Sequence, residues 1–304
     1  MSQIGAAPSD AGSSDAGPAG AGGGETGRDE AGHAEAGRAD MTWDILRQRL
    51  RSMRPGLYPV AMPAAHPPRD PEVCAVCAVC RGPVRPGFAR CYQCGRHGLL
   101  APGLLADAVV PISYAVKGAA LAADLWRYKS WPGPGASARA SVLALLLAFL
   151  HDHGACVWRH AGMPGPDRLA VVPTGCGRPG RHPLLALASP YLRLPLTRLA
   201  IRPGRQGRDL DVHRFRADQT AAGADVLLIE DSWVSGASAQ SAAAALKLAG
   251  ARHVAIVVIG RHVDPADPRA GTLTARLKPT SFDPSTCAVH TPNPARPHNL
   301  QNCL

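Results

Sequence analysis

The stretch 226–238, Val-Leu-Leu-Ile-Glu-Asp-Ser-Trp-Val-Ser-Gly-Ala-Ser, limits the possible folds more than any other part of the chain. Four apolar residues, 226–229, run directly into two acids, Glu230 and Asp231. A small hydroxyl-bearing turn follows at Ser235, Gly236, Ala237 and Ser238. An alanine-rich helical pattern then covers 239–248, with Gly250 at the usual helix stop. A short apolar run bounded in this way predicts a buried strand of a parallel sheet. The order is therefore strand, acidic tip, small loop, helix.

Each part has a chemical use. A loop at a helix N-terminus leaves backbone N–H groups pointing outward, where the helix dipole also favours an anion. Gly236 lets the backbone approach a phosphate, and the Ser235 and Ser238 hydroxyls add donors. Two adjacent carboxylates at the carboxyl end of a strand suit the paired hydroxyls of a ribose, and ligands of open α/β sheets bind at that end. The guest predicted from these residues is a ribose 5-phosphate substituted at C1.

The nine cysteines carry the second signal, because five of them lie between positions 74 and 94. Cys77 and Cys80 form one Cys-x2-Cys knuckle, and Cys91 and Cys94 form another after ten intervening residues. Four thiolates at that spacing can close a tetrahedral, structural zinc site. Cys74 with Cys77 gives a second register for the first knuckle. Cys77 with Cys80 is preferred, since a glycine stands close behind each knuckle, at Gly82 and Gly95. Disulfides and free thiols are the competing readings. No apolar leader is evident, and no run approaches the length of a membrane span, which predicts a reducing, cytoplasmic setting and disfavours disulfides. Cys156, Cys176, Cys287 and Cys303 receive no assignment.

The segment at Glu230 and Asp231 resembles the phosphoribosyl-pyrophosphate (PRPP) motif of type I phosphoribosyltransferases. Its order, Glu230-Asp231-Ser232-Trp233-Val234-Ser235-Gly236, is most similar to the amidophosphoribosyltransferase and ComF (competence protein F-like) branches. A two-knuckle cysteine module ahead of such a domain is the ComF arrangement. Tyr128 and Lys129, the run 169–173, and the spaced Arg198, Gln206, Arg214 and Phe215 resemble further parts of that family. The resemblance implies an α/β fold, a phosphoribosyltransferase-like parallel sheet with flanking helices, behind a small zinc-ribbon-like module. It implies that Glu230 and Asp231 hold the ribose hydroxyls, that Ser235 to Ser238 hold the 5-phosphate, and that Mg²⁺ accompanies PRPP. Val234 stands where purine-salvage relatives carry an acid, and 178–183 depart from the family's turn after its first sheet strand. No glutaminase module is expected.

The expected organisation is a disordered acidic tail, 1–40, a short helix and proline-rich linker, 41–72, the cysteine module, 73–100, the phosphoribosyltransferase-like domain, 105–263, and an irregular tail, 264–304. A helix is predicted at 137–150, and a middle strand at 196–201. The arginine-rich loop 202–215 is a candidate lid over pyrophosphate, with Arg202 and Arg205 as phosphate contacts, since guanidinium groups bind phosphate oxygens in pairs. His182 is the histidine placed to reach the ligand. Residues 1–40 carry seven acidic and two basic groups, so the remainder must hold about +15 for the chain to reach +10. That balance makes single-stranded DNA a second candidate partner, although arginine outnumbers lysine 29 to 4 in a way that nucleotide bias also produces. Three functions stay open: phosphoribosyl transfer to an unknown acceptor, an accessory role in DNA uptake or single-strand handling, and PRPP sensing without turnover.

Overall fold

The long apolar runs become strands covered on both faces. A computed structural model describes residues 43–70, 75–130, 135–173, 182–205, 207–277 and 282–289. In chain order they form α1 (Trp43–Met53), α2 (Tyr92–Leu100), β1 (Ala108–Val116), α3 (Ala120–Arg127), α4 (Ala136–Ala161), β2 (Arg168–Val171) and α5 (Pro183–Leu192). After them come β3 (Leu199–Ile201), β4 (Phe215–Ala217), β5 (Asp225–Trp233), α6 (Ala237–Leu248), β6 (His253–Val263) and α7 (Gly271–Arg276). Four strands build a sheet in the order β1-β6-β5-β2, and every pairing within it is parallel. The fold is thus α/β, with helices flanking a parallel sheet.

Alternation along the strands feeds two cores. Leu227, Ile229, Ala255, Val257, Ile259 and Val110 pack with Val142, Leu145, Leu146 and Phe149 of α4. Val226, Leu228, Val254, Ile256 and Val258 pack on the opposite side with Ala239, Ala242, Ala243 and Leu246 of α6. Cys77, Cys80 and Cys94 belong to this second core, so the cysteine module is seated on the sheet rather than apart from it.

Several elements differ from the sequence reading for identifiable reasons. Strand β5 continues through Glu230 and Asp231 to Trp233, because the long β6 pairs with it as far as Trp233↔Arg261. The expected middle strand at 196–201 does not enter the main sheet. Leu199–Ile201 instead pairs antiparallel with Phe215–Ala217, and only Leu196 bridges to Leu169. Strand β1 has no counterpart in the sequence reading, since Pro111 and Ser113 interrupt its apolar run. It lies at the sheet edge, where a missing N–H is tolerated. The helix expected at 137–150 extends to 26 residues, long and apolar enough by length and composition to cross a membrane. It is instead largely buried against the sheet.

The segment after 264 is not wholly irregular. It holds α7, and Phe282, Cys287 and Ala288 reach the core over α4.

At the start of β5, Asp225 is fully buried and holds the neighbouring strand β6. Its carboxylate accepts from Arg252 Nε (2.9 Å) and Nη2 (2.6 Å), and it lies 2.8 Å from His253 Nδ1. These partners, Arg252 first, hold its carboxyl below the ordinary value of 3.8. A depressed folded-state value means that the contribution is present above pH 3.8 and lost as pH falls through the folded value. Asp225→Ala is expected to lose on the order of 1–3 kcal/mol by urea denaturation at neutral pH. The deficit should shrink on acidification, as the same measurement repeated at low pH would show.

Candidate functional site

Two groups of residues stand out, and the first is the cysteine cluster. The Sγ atoms of Cys77, Cys80, Cys91 and Cys94 all lie within 4.8 Å of one another, close enough to share one metal ion such as zinc. A tight turn presents the first knuckle. Arg81 N–H donates to the Cys77 carbonyl (3.0 Å), and Cys77 N–H donates to the Gly82 carbonyl (2.8 Å). Cys91 precedes α2, and Cys94 lies in its first turn. Cys74 lies outside the described residues.

Crowding sets the acidity of the four thiols. Hydrogen bonds from Cys80, Cys91 and Cys94 pull the Cys77 thiol well down. Cys80 is pushed up by Cys77, but Cys91 and Cys94 together bring it down to about 7. Contacts with Cys77 and Cys80 push Cys91 and Cys94 up, so the protons leave in steps that belong to the cluster.

Two buried guanidinium groups flank these thiols. Arg81 and Arg261 are only 2% and 8% exposed, and both interact electrostatically with Cys80. Four thiolates around one Zn²⁺ carry a net charge of −2, which two such cations would balance in a site of low dielectric. Gly82 makes room for one of them, since a Cβ there would sit 2.0 Å from Arg261 Nη2. The donor set and its charge environment therefore fit zinc.

The second group lies at the carboxyl end of β5. Asp231 is 4% exposed and receives two donors on one oxygen. Tyr128 Oη donates a short hydrogen bond to Oδ2, and Lys129 Nζ lies 2.7 Å from the same atom. Glu230 is half-buried, and its Oε1 accepts from Asp231 N–H at 3.2 Å. Burial first, and then the Asp231 charge, push the Glu230 carboxyl well above its ordinary value of 4.5, against the opposing pull of Lys129. Two histidines adjoin the pair. Burial lowers His182, which also feels Asp231 and Lys129, and its Nδ1 accepts from Leu184 N–H at the start of α5. His262 Nε2 lies 3.3 Å from Ser232 Oγ, and burial lowers its pKa too.

Beyond the strand, Val234 is exposed at the loop tip, and Ser235 and Ser238 are half-buried. Ser235 Oγ accepts from Ala237 N–H (3.3 Å) at the first turn of α6. Gly236 caps the helix with φ 81°, in the left-handed region. A Cβ there would also fall 2.0 Å from the Trp233 indole, so the ring by itself demands glycine. Arg214, 5% exposed, donates from Nη1 to Ser238 Oγ at 3.2 Å.

Arg202 and Arg205, the phosphate contacts expected from the loop 202–215, have the following neighbours. Arg202 lines a hollow of about 450 Å³ with Phe215, Arg216 and Leu248, by the C-terminal half of α6 rather than its N-terminus. Arg205 is exposed and pairs with Asp211 at 3.1 Å. The turn at 174–181 and Gln206 lie outside the described residues.

The contacts that Tyr128, Lys129 and Arg214 make were not assigned from the sequence. A Tyr-Lys pair at a predicted helix end and an arginine directly before Phe215 were the available signals. No protein-family model matches the chain, and no curated protein matches it.

The raised Glu230 value has a direct consequence for stability. A carboxyl whose folded-state pKa exceeds its unfolded value binds the proton more tightly when folded, so stability falls as pH rises from about 4.5 through the folded value. Glu230→Gln is expected to remove that decline and to raise stability near neutral pH. Denaturant midpoints across pH 4 to 8 would read it, and an unchanged pH profile would contradict the assignment.

Proposed function

We propose that this chain binds PRPP, or a closely related phosphorylated ribose, at the carboxyl edge of its parallel sheet, in a fold of the type I phosphoribosyltransferase kind. The observation that carries the reading is one continuous element. Strand β5 bears Glu230 and Asp231 and then passes, through Ser235 and Gly236, into the N-terminus of α6. Carboxylates suited to ribose hydroxyls and a helix N-terminus suited to a phosphate would thus meet at one end of one strand.

In this reading Asp231 accepts from a ribose hydroxyl, with Tyr128 and Lys129 fixing its carboxylate. Glu230, protonated more readily than an ordinary glutamate, can donate as well as accept. Ser235, Gly236, Ala237 and Ser238 surround the 5-phosphate, and Arg214 adds positive charge beside Ser238. Lys129 already neutralises Asp231, so these residues fit a Mg²⁺ ion carried by the ligand's own phosphate oxygens better than one held by the protein.

Transfer would break the bond from C1 to the pyrophosphate oxygen, and the electron pair would leave with pyrophosphate. The positive charge developing at C1 would be stabilised by the Asp231 carboxylate and by the departing pyrophosphate. A nucleophile would then supply the pair for the new bond at C1 and release a proton.

Isothermal titration of PRPP, with and without Mg²⁺, tests the reading. The unsubstituted chain is expected to bind, while Asp231→Ala and the gentler Asp231→Asn weaken binding at least about tenfold, or roughly 1.4 kcal/mol. Undiminished binding by both variants would overturn the site. A folded, zinc-loaded chain that ignores PRPP but binds single-stranded DNA with steep salt dependence would replace the whole reading.

A further inference from the structure

Beyond the four-cysteine cluster, His153, Cys156 and Cys287 meet on the far side of the sheet, with their ligand-type atoms all within 4.8 Å of one another. We infer that these three side chains form a second metal site, selective for a thiophilic cation and suited to Zn²⁺. Two of the ligands come from one helix. His153 and Cys156 lie three residues apart on α4, so they share a face. The third comes from the segment 282–289, which is remote in sequence.

The imidazole is preset for ligation. His153 is 3% exposed, and its Nε2 lies 2.7 Å from the Pro284 carbonyl oxygen. A carbonyl oxygen only accepts, so Nε2 carries the proton and Nδ1 keeps its lone pair. A backbone carbonyl on the non-ligating nitrogen is the usual way a metal-binding histidine is oriented. The Phe149 ring, 5.3 Å from that of His153, packs beside it.

The segment that brings Cys287 is gripped at several points. Arg54 donates to the Phe282 carbonyl from Nε (3.3 Å) and Nη2 (3.0 Å). Arg81 donates to the Ala288 carbonyl from Nε (3.0 Å) and Nη2 (2.8 Å). Together with the contact between His153 and Pro284, these bonds fix the backbone on both sides of Cys287. The thiol, 8% exposed, is therefore held beside the imidazole by the fold.

The donors decide the ion. Two sulfurs and one imidazole nitrogen favour a soft or borderline cation over Mg²⁺ or Ca²⁺, which take oxygen ligands. Cys156 is half-buried, and water would complete a four-coordinate site as the fourth ligand. Binding would displace the thiol protons of Cys156 and Cys287 to solvent, and the ion would tie 282–289 to the middle of α4.

Metal analysis of the full chain, purified under reducing conditions and dialysed against trace zinc, tests the inference. About two zinc ions per chain are expected, one for each cluster. Cys156→Ser and Cys287→Ser should each lower the content by about one, and Cys94→Ser should do the same through the other cluster. Because Cys156 is half-buried, its replacement gives a reading even if Cys287→Ser does not fold. Zinc content unchanged by Cys156→Ser would overturn the inference. So would a disulfide between Cys156 and Cys287 in protein isolated without air. Neither result depends on whether PRPP binds.

Discussion

The architecture depends on β5, a strand buried on both faces that still carries two acids near its end. Residues 226–229 are wholly covered, with side chains feeding the cores on opposite sides of the sheet. Parallel pairing with β6 and β2 fixes the strand's register and places Glu230 and Asp231 where the sheet stops being apolar. A carboxylate as deep as Asp231 is costly without partners. Tyr128 and Lys129 supply them from the end of α3, so the neighbourhood of the candidate site also joins the helix layer to the sheet.

Buried arginines extend that connection to the rest of the molecule. Arg261, on β6, donates to the Trp233 carbonyl at the end of β5 and lies against the cysteine cluster. Arg81, in the first knuckle, reaches the Ala288 carbonyl. Tyr114 of β1 donates to the Arg81 carbonyl at 2.7 Å. The cysteine module is therefore wired by hydrogen bonds to the end of the central strand and to the last described segment. A metal in the four-cysteine cluster would bear on the order of the site as well as on local folding.

The central strand was legible because burial on both faces demands an unbroken apolar run, and 226–229 is such a run. The cysteine cluster was legible from spacing, since two knuckles can close only in a few ways. Strand β1 was hidden by Pro111 and Ser113, which an edge position tolerates. Leu199–Ile201 looked like sheet, yet its half-exposed residues form a separate hairpin with β4. The partners of Asp231 could not be read locally, because Tyr128 stands 103 residues away and only the fold brings them together. The packing of Cys287 and Ala288 was equally hidden, since long-range arginine contacts rather than periodicity hold that segment.

Hydrogen–deuterium exchange of the zinc-loaded chain, with and without PRPP and Mg²⁺, tests the central claim most directly. The account predicts slower exchange at the amides of 235–240, where the loop enters α6, and at 127–130 beside Asp231. The effect should be absent in Asp231→Asn. Protection confined to the β3–β4 hairpin, or none at all in a folded chain, would contradict a ribose-phosphate site at the end of β5.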